Sequence, residues 1–144
     1  MTIIGRSILA SIVGVGLTTC FAGHFGLFGY PTQDAKYTFD VYTGAKDKWD
    51  SINSDEPPLA PGKAIRIATK FVQTVPVKEG MKGWRLNQLK LQRMSYTNGP
   101  EEWIYVAHFD ADPGGIWNGP LPWIEVPVKF DGTVPAPTIT KSSK

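Results

Sequence analysis

The sequence has little cysteine and little histidine, the residues on which most metal and thiol sites depend. Cys20 is the only cysteine among the 144 residues, and it lies in an apolar N-terminal stretch. Residues 31–144 therefore form no internal disulfide and offer no thiol to a metal or a substrate. The two histidines are His24 and His108. A domain built from residues 31–144 consequently depends on apolar burial, to which its five tryptophans contribute.

The sequence also lacks an excess of charge of either sign. Fifteen lysines and arginines face 13 aspartates and glutamates, which gives a formal net charge of +2. No cluster of basic residues stands out. Nucleic-acid binding depends on a concentrated positive surface, so nucleic acid is not an expected partner.

Charge is absent altogether from the segment that follows Arg6. Residues 7–30 contain no Asp, Glu, Lys or Arg, and residues 7–17 are largely apolar. A charged start, a short apolar core and a small-residue exit predict a secretory signal or membrane anchor over residues 1–30. We therefore expect an exported protein, located in the periplasm or on the outer face of the inner membrane. Arg6 favours this orientation, because a positive charge tends to keep the short N-terminal end in the cytoplasm.

Three fates of this leader remain open. The first is cleavage after Ala22. The second is acylation of Cys20, since Leu17-Thr18-Thr19-Cys20 resembles a bacterial lipobox. The third is retention as a membrane helix, which needs roughly 20 predominantly apolar residues.

The rest of the chain predicts one α+β domain over residues 31–135, followed by a flexible tail at 136–144. Apolar residues at helical spacing predict a helix from Pro61 to Val75, which Pro76 ends. Alternating apolar residues predict an antiparallel sheet of about four strands, on which the helix packs. The predicted strands are 37–42, 84–96 with a β-bulge at Asn87-Gln88, 101–110, and 123–130, where Pro127 indicates an edge strand.

Three segments of this domain resemble small exported bacterial domains of the PepSY-like type, which are related in shape to cystatins. The helix at 63–68 has the form KAIRIA, the strand at 103–109 reads WIYVAHF, and residues 128–134 read VKFDGTV. The resemblance covers about residues 57–135 and is carried mainly by hydrophobicity and turns. It implies a non-catalytic interaction or inhibitory domain, without a cofactor.

His108 and Asp110, at the end of the predicted strand 101–110, are the residues that most resemble a catalytic or metal-binding site. The two residues share a face of the strand, as an acid/base pair or two metal ligands would. Residues 31–144 contain no second histidine and no cysteine to complete such a site. We interpret His108 as an exposed strand histidine, and we expect no catalytic, cofactor-binding or metal-binding residue. A small enzyme that uses His108 with Asp110 is the remote alternative.

The loop between the last two predicted long strands is the candidate interaction surface. Ile116, Trp117 and Trp123 lie there among glycines and prolines, and large apolar residues on a loop are typical of a protein-binding tip. Two functions stay open. One is an exported interaction domain with a protein partner. The other is an accessory subunit of a larger membrane protein complex, tethered to the membrane through residues 1–30.

Overall fold

The computed structural model describes residues 24–31, 35–94 and 101–141. These ranges contain one α-helix and seven strands. In chain order they are β1 His24–Pro31, β2 Ala35–Tyr42, β3 Lys48–Trp49, α1 Pro61–Val72, β4 Gly83–Arg93, β5 Glu101–Asp112, β6 Trp123–Lys129 and β7 Pro137–Lys141. The predicted α+β class is confirmed, and all the strand pairs are antiparallel.

The strands belong to two sheets, where the sequence predicts one. β2 lies between β1 and β7 in the first sheet, and β5 pairs with β3, β4 and β6 in the second. β1 also runs close to β6, although no ladder of hydrogen bonds joins them. Within the described ranges β6 forms a ladder only with β5, which agrees with the edge position that Pro127 predicts.

Helix α1 buries the stripe that its sequence spacing predicts. Pro61 occupies the first turn, where a missing N–H costs nothing, and Ala64, Ala68 and Val72 are fully buried. The helix ends at Val72, three residues before the predicted end. The reason is local, because both the backbone N–H and the hydroxyl of Thr74 donate to the carbonyl of Phe71 and close a turn.

The core lies between α1 and one face of the second sheet. Alternate residues of β5 and β6 contribute to that face, as their sequence alternation predicts: Tyr105, Ala107, Phe109, Ile124, Val126, Val128 and the following Phe130. The opposite face is predicted to be open to water or to a partner. There the structure differs, because Ile104 and Val106 have no exposed surface.

The predicted bulge in β4 is confirmed. The pairing of β4 with β5 shifts register between Leu86 and Gln88, which leaves Asn87 as the extra residue. The shift restores Leu89 to the core side, opposite Ala107.

The predicted tail at 136–144 is wrong for most of its length. Pro137–Lys141 forms β7 and pairs with β2, from Pro137 opposite Phe39 to Lys141 opposite Ala35. Thr138, Ile139 and Thr140 are β-branched and suit a strand, but five residues are too few to stand out without knowledge of the edge that they join.

The structure also moves the start of the folded domain before residue 31. His24–Pro31 is a strand paired with β2, so the last part of the predicted leader belongs to the first sheet. An apolar run with aromatic residues suits a strand as well as a leader, and composition alone does not separate them. Cys20, the Ala22 cleavage position and the rest of residues 1–23 lie outside the described residues. Within the described ranges, no helix combines the length and the apolar character that crossing a bilayer requires.

A buried tyrosine links the core to the segment that leads into α1. The Tyr105 hydroxyl donates to the carbonyl oxygen of Leu59 at 2.8 Å, and both residues are buried. Burial raises the pKa of Tyr105 above its ordinary value of 10.0, because the phenolate would lie in the core. The stability that this linkage provides is complete below the pKa of the unfolded chain and is lost as pH rises through the raised pKa of the folded state.

We expect Tyr105→Phe to lower the free energy of unfolding at pH 7 by about 1 kcal/mol, because the Leu59 carbonyl loses its partner. At alkaline pH the order reverses, since phenylalanine has no proton to lose and the variant should unfold at a higher pH. Urea titrations at pH 7 and an alkaline titration followed by circular dichroism measure both effects. An unchanged alkaline midpoint in the variant would show that Tyr105 does not drive alkaline unfolding.

Candidate functional site

Residues 113–122 connect β5 to β6 and are attached to the domain at both ends. The Ala111 N–H donates to the Pro122 carbonyl at 2.8 Å, and the Lys82 N–H donates to the Asp112 carbonyl at 2.7 Å. The Asp112 carboxylate also accepts from the Gly114 N–H at 2.9 Å, which forms an Asx turn where the loop leaves β5. The base of the loop is therefore fixed by the sheet rather than by the loop's own composition.

The backbone conformation favours glycine at the first bend of this loop. Gly114 has a φ of +64°, a conformation that L side chains rarely adopt. A Cβ atom there would also lie 2.1 Å from Cε of Lys82, but this exposed, flexible side chain can move away. The positive φ is therefore the main reason for glycine at this position.

The loop carries its apolar side chains outward. We call Ile116, Trp117 and Trp123 the aromatic tip. Ile116 is 99% exposed, Trp117 is 40% exposed and Trp123, the first residue of β6, is 38% exposed. Ile116 therefore does not fold back over the sheet edge, whereas Trp117 and Trp123 are each more than half covered.

His108 and Asp110 lie together on the sheet face opposite α1, as the strand alternation predicts. Nε2 of His108 is 3.2 Å from Oδ1 of Asp110. Both side chains are about three-quarters buried or more, so the histidine is less exposed than the sequence interpretation expects.

The structure adds residues from both neighbouring strands that sequence reasoning missed. Nδ1 of His108 is 3.7 Å from Oε1 of Glu125 on β6, and Nζ of Lys90 on β4 is 3.0 Å from the same oxygen. The Asn87 side chain, at the bulge, donates to Oδ2 of Asp110 at 2.6 Å. We call these five residues the His108 cluster. Among the residues that sequence reasoning missed, Glu125 has a visible signal, since it is a single charge within the apolar strand 123–128.

The His108 cluster is joined to the aromatic tip by a ring contact. The imidazole of His108 stacks on the indole of Trp123, with centroids 5.4 Å apart and planes 20° apart. Trp123 lies directly opposite Asp110 in the β5–β6 ladder, and Glu125 lies opposite His108. One face of the second sheet therefore carries a charged cluster whose aromatic neighbour belongs to the exposed surface.

The geometry of His108 suits the orientation of a ring more than the activation of a nucleophile. Each ring nitrogen faces a carboxylate, and no hydroxyl or thiol of the described residues is hydrogen-bonded to the imidazole. A nucleophilic mechanism needs such a group next to the base. In the described ranges, no group of three or more His, Cys, Asp or Glu side chains is arranged to hold a metal ion. Asp110 and Glu125 approach different nitrogens of the ring, so the three residues do not converge on one point.

Helix α1 carries a second exposed feature. Lys63, Arg66 and Lys70 lie on its solvent side, and none of the three forms an ion pair with another described residue. An unpaired basic stripe on one helix face is most often solvated, and it attracts anionic surfaces when one is near.

Comparison of the chain with protein-family models, with curated proteins and with solved structures gives no match to any of the three. The PepSY-like and cystatin-like resemblance therefore stays a prediction.

Proposed function

We propose that this chain is an exported, non-catalytic interaction domain that binds a protein partner through the aromatic tip. The observation that carries the proposal is that one loop, with its base hydrogen-bonded to the sheet, carries three exposed large apolar side chains, those of Ile116, Trp117 and Trp123. Water disfavours a large apolar side chain in that position. Exposed apolar residues on a fixed loop are typical of interaction surfaces.

The composition of the tip supports a protein partner. Tryptophan is enriched among the residues that dominate binding energy, because it buries a large area with few rotatable bonds. Residues 113–122 contain no charged side chain, so burying the loop desolvates no charge. The glycines and prolines limit the side-chain entropy that ordering the loop would cost.

The test uses site-specific photo-crosslinking. A benzophenone amino acid at position 116 is expressed in the native host, and irradiation of intact cells should yield one dominant protein adduct. The matched control carries the same amino acid at position 52, because Ile52 is also an apolar side chain, 91% exposed, in a different loop. An adduct from both positions, or from neither, would contradict a specific surface at the tip.

Truncation of the tip measures its contribution. We expect Trp117→Ala to weaken binding of the cross-linked partner at least about 30-fold, the loss that defines a dominant interface residue. Ile52→Ala should leave the affinity unchanged. Calorimetry with the purified partner measures both values. Equal affinities for the two variants would place the interface elsewhere.

A membrane-tethered accessory subunit is the second candidate. The stripe of Lys63, Arg66 and Lys70, which forms no ion pair with other described residues, favours it, because basic side chains are attracted to anionic lipid headgroups. Mass spectrometry of the intact chain, purified in mild detergent from its native source, tests this alternative. An uncleaved chain, or one acylated at Cys20, that is bound to membrane proteins supports the tethered subunit. A chain that begins near Gly23 and stays alone in solution would contradict it.

A further inference from the structure

We propose that the Asn118-Gly119 pair is a site of spontaneous deamidation, which places a negative charge beside Trp117 of the aromatic tip. The reaction uses water and these two residues, so it is a property of the chain without any partner. Its effect on binding is the one part that rests on the proposed function.

The sequence places a glycine directly after Asn118. In such a pair the backbone nitrogen of the second residue reaches the asparagine side chain most easily, because glycine has no Cβ to obstruct the approach. The chain has four asparagines, and within the described ranges Asn118 is the one that precedes a glycine. Asn98 also precedes a glycine, but it lies outside the described residues. Asn118 and Gly119 are both exposed and belong to neither a helix nor a strand.

The structure leaves both reacting groups of this pair free to approach each other. Neither the Asn118 side chain nor the Gly119 N–H forms a hydrogen bond with another described residue. A Cβ atom built on Gly119 would meet no heavy atom within 4 Å apart from its chain neighbours, so the space beside the attacking nitrogen is open. Gly119 also has a φ of +115°, a bend that favours glycine at this position.

The other two asparagines of the described ranges are held by hydrogen bonds. Nδ2 of Asn53 donates to Oδ2 of Asp50 at 2.7 Å. The N–H of Ser54, which would be the nucleophile there, donates to the Asp50 carbonyl at 2.9 Å. Asn87 lies within strand β4, and its side chain also donates a hydrogen bond. These bonds must break before the groups can react, which adds to the barrier, whereas Asn118 has no such bond to lose.

The chemistry has two steps. In the first, the Gly119 backbone nitrogen bonds to Cγ of Asn118 and closes a succinimide ring. The bond from Cγ to Nδ2 breaks, and the side-chain nitrogen leaves as ammonia with the proton that the Gly119 nitrogen loses. In the second, water opens the ring. Attack at Cγ restores the original backbone with an aspartate, and attack at the backbone carbonyl carbon gives an isoaspartate, whose main chain runs through Cγ. Either way, one amide and one water become one carboxylate and one ammonium ion.

Both products change the character of the loop. Residues 113–122 otherwise contain no charged side chain, and position 118 follows Trp117 directly. Burying a carboxylate against a partner costs far more desolvation free energy than burying the neutral amide. The deamidated tip should therefore bind its partner less tightly.

The test follows the purified full chain without a partner, incubated in heavy-oxygen water at neutral and at mildly alkaline pH. Peptide mapping by mass spectrometry locates each new carboxyl group, and the heavy oxygen marks those that form during the incubation. We expect aspartate and isoaspartate to form at position 118 at least about tenfold faster than at position 53, a difference of about 1.4 kcal/mol in barrier. The rate should rise with pH, because the attacking nitrogen must lose its proton. The peptide that contains Asn98 is scored separately.

The same measurement in urea separates the effect of the fold from that of the following residue. Asn118 should convert at a similar rate in the folded and the unfolded chain, whereas Asn53 should convert more slowly in the folded chain. Asn118→Gln is the control for the assignment and should show no conversion at position 118, because its longer side chain closes the corresponding ring far less readily. An Asn118 that keeps its amide in the folded chain while it converts in urea would overturn the proposal.

The consequence for binding is measured with Asn118→Asp, which carries the charge of the product, and with Asn118→Gln as its neutral match. We expect the cross-linked partner to bind Asn118→Asp at least about tenfold more weakly than Asn118→Gln, a loss of about 1.4 kcal/mol. Equal affinities, with deamidation at position 118 observed, would overturn the effect on binding. That result would count against the proposed function and not against the modification site.

Discussion

Asp47→Ala is expected to lower the free energy of unfolding by about 3–5 kcal/mol, the range for removing one partner of a buried ion pair. The Asp47 carboxylate has no exposed surface and accepts three contacts. Oδ1 accepts from the Phe130 N–H at 3.1 Å, and Oδ2 accepts from the Gly44 N–H at 3.0 Å. Nζ of Lys129 is 3.3 Å from Oδ2. Alanine leaves the N–H groups of Phe130 and Gly44 without an acceptor, and it leaves the Lys129 ammonium with only the more distant carboxylate of Asp131, at 4.0 Å.

The size of this effect follows from what Asp47 joins. Gly44 belongs to the loop after β2, whereas Lys129 is the last residue of β6 and Phe130 follows it. Phe130 is 83 residues beyond Asp47 in the chain. The carboxylate therefore connects the loop that follows β2 of the first sheet to the end of β6 in the second sheet. Trp49, two residues later, strengthens the same junction by edge contacts with Trp103 and Phe130 at 5.8 and 6.4 Å.

Guanidinium unfolding of paired variants measures the prediction. Asp50→Ala is the matched control, because Asp50 is the next aspartate along the chain and its contacts lie within its own exposed turn, so we expect an almost unchanged midpoint. In the double variant Asp47→Ala/Lys129→Met, the loss should be smaller than the sum of the two single losses, since each single variant already removes the contact between the two side chains. Additive losses would show that Asp47 and Lys129 do not interact energetically.

The sequence predicted those elements that depend on residues close to one another in the chain. The helix from Pro61, the alternation of 101–110 and 123–130, and the bulge at Asn87 all depend on residues close in sequence. The same reasoning predicted that His108 and Asp110 share a strand face. It also predicted that the loop between β5 and β6 carries its aromatic residues near the surface.

Pairing between distant segments is what the sequence did not reveal. β7 is a short strand only because β2 offers it an edge, and β1 resembles a leader until it is seen opposite β2. Glu125 enters the His108 cluster through the register of β5 with β6, which is set by a loop of irregular shape. The sequence also did not reveal that Asp47 is buried. It lies in a polar stretch, and the burial of a single carboxylate depends on the donors that surround it in the fold.

Phe109→Ala is expected to cost about 3–5 kcal/mol of unfolding free energy, the usual range for removing a fully buried phenylalanine ring. Phe109 is 1% exposed and lies between Leu86 of β4 and Ile124 of β6 on the face covered by α1. The loss has two parts. The folded state no longer gains the free energy of removing the ring from water, and the missing ring leaves a cavity beside the central strand β5. Typical domains have only about 5–15 kcal/mol in total, so the variant should approach the limit of folding.

Two controls separate burial from size. Phe109→Leu keeps most of the volume and should cost less than about 1.5 kcal/mol. Ile116→Ala removes apolar atoms from a side chain that is 99% exposed, and it should change stability by no more than about 0.5 kcal/mol. Thermal unfolding followed by circular dichroism compares the three variants. A large loss in Ile116→Ala would mean that the tip packs on the domain and is not a free surface.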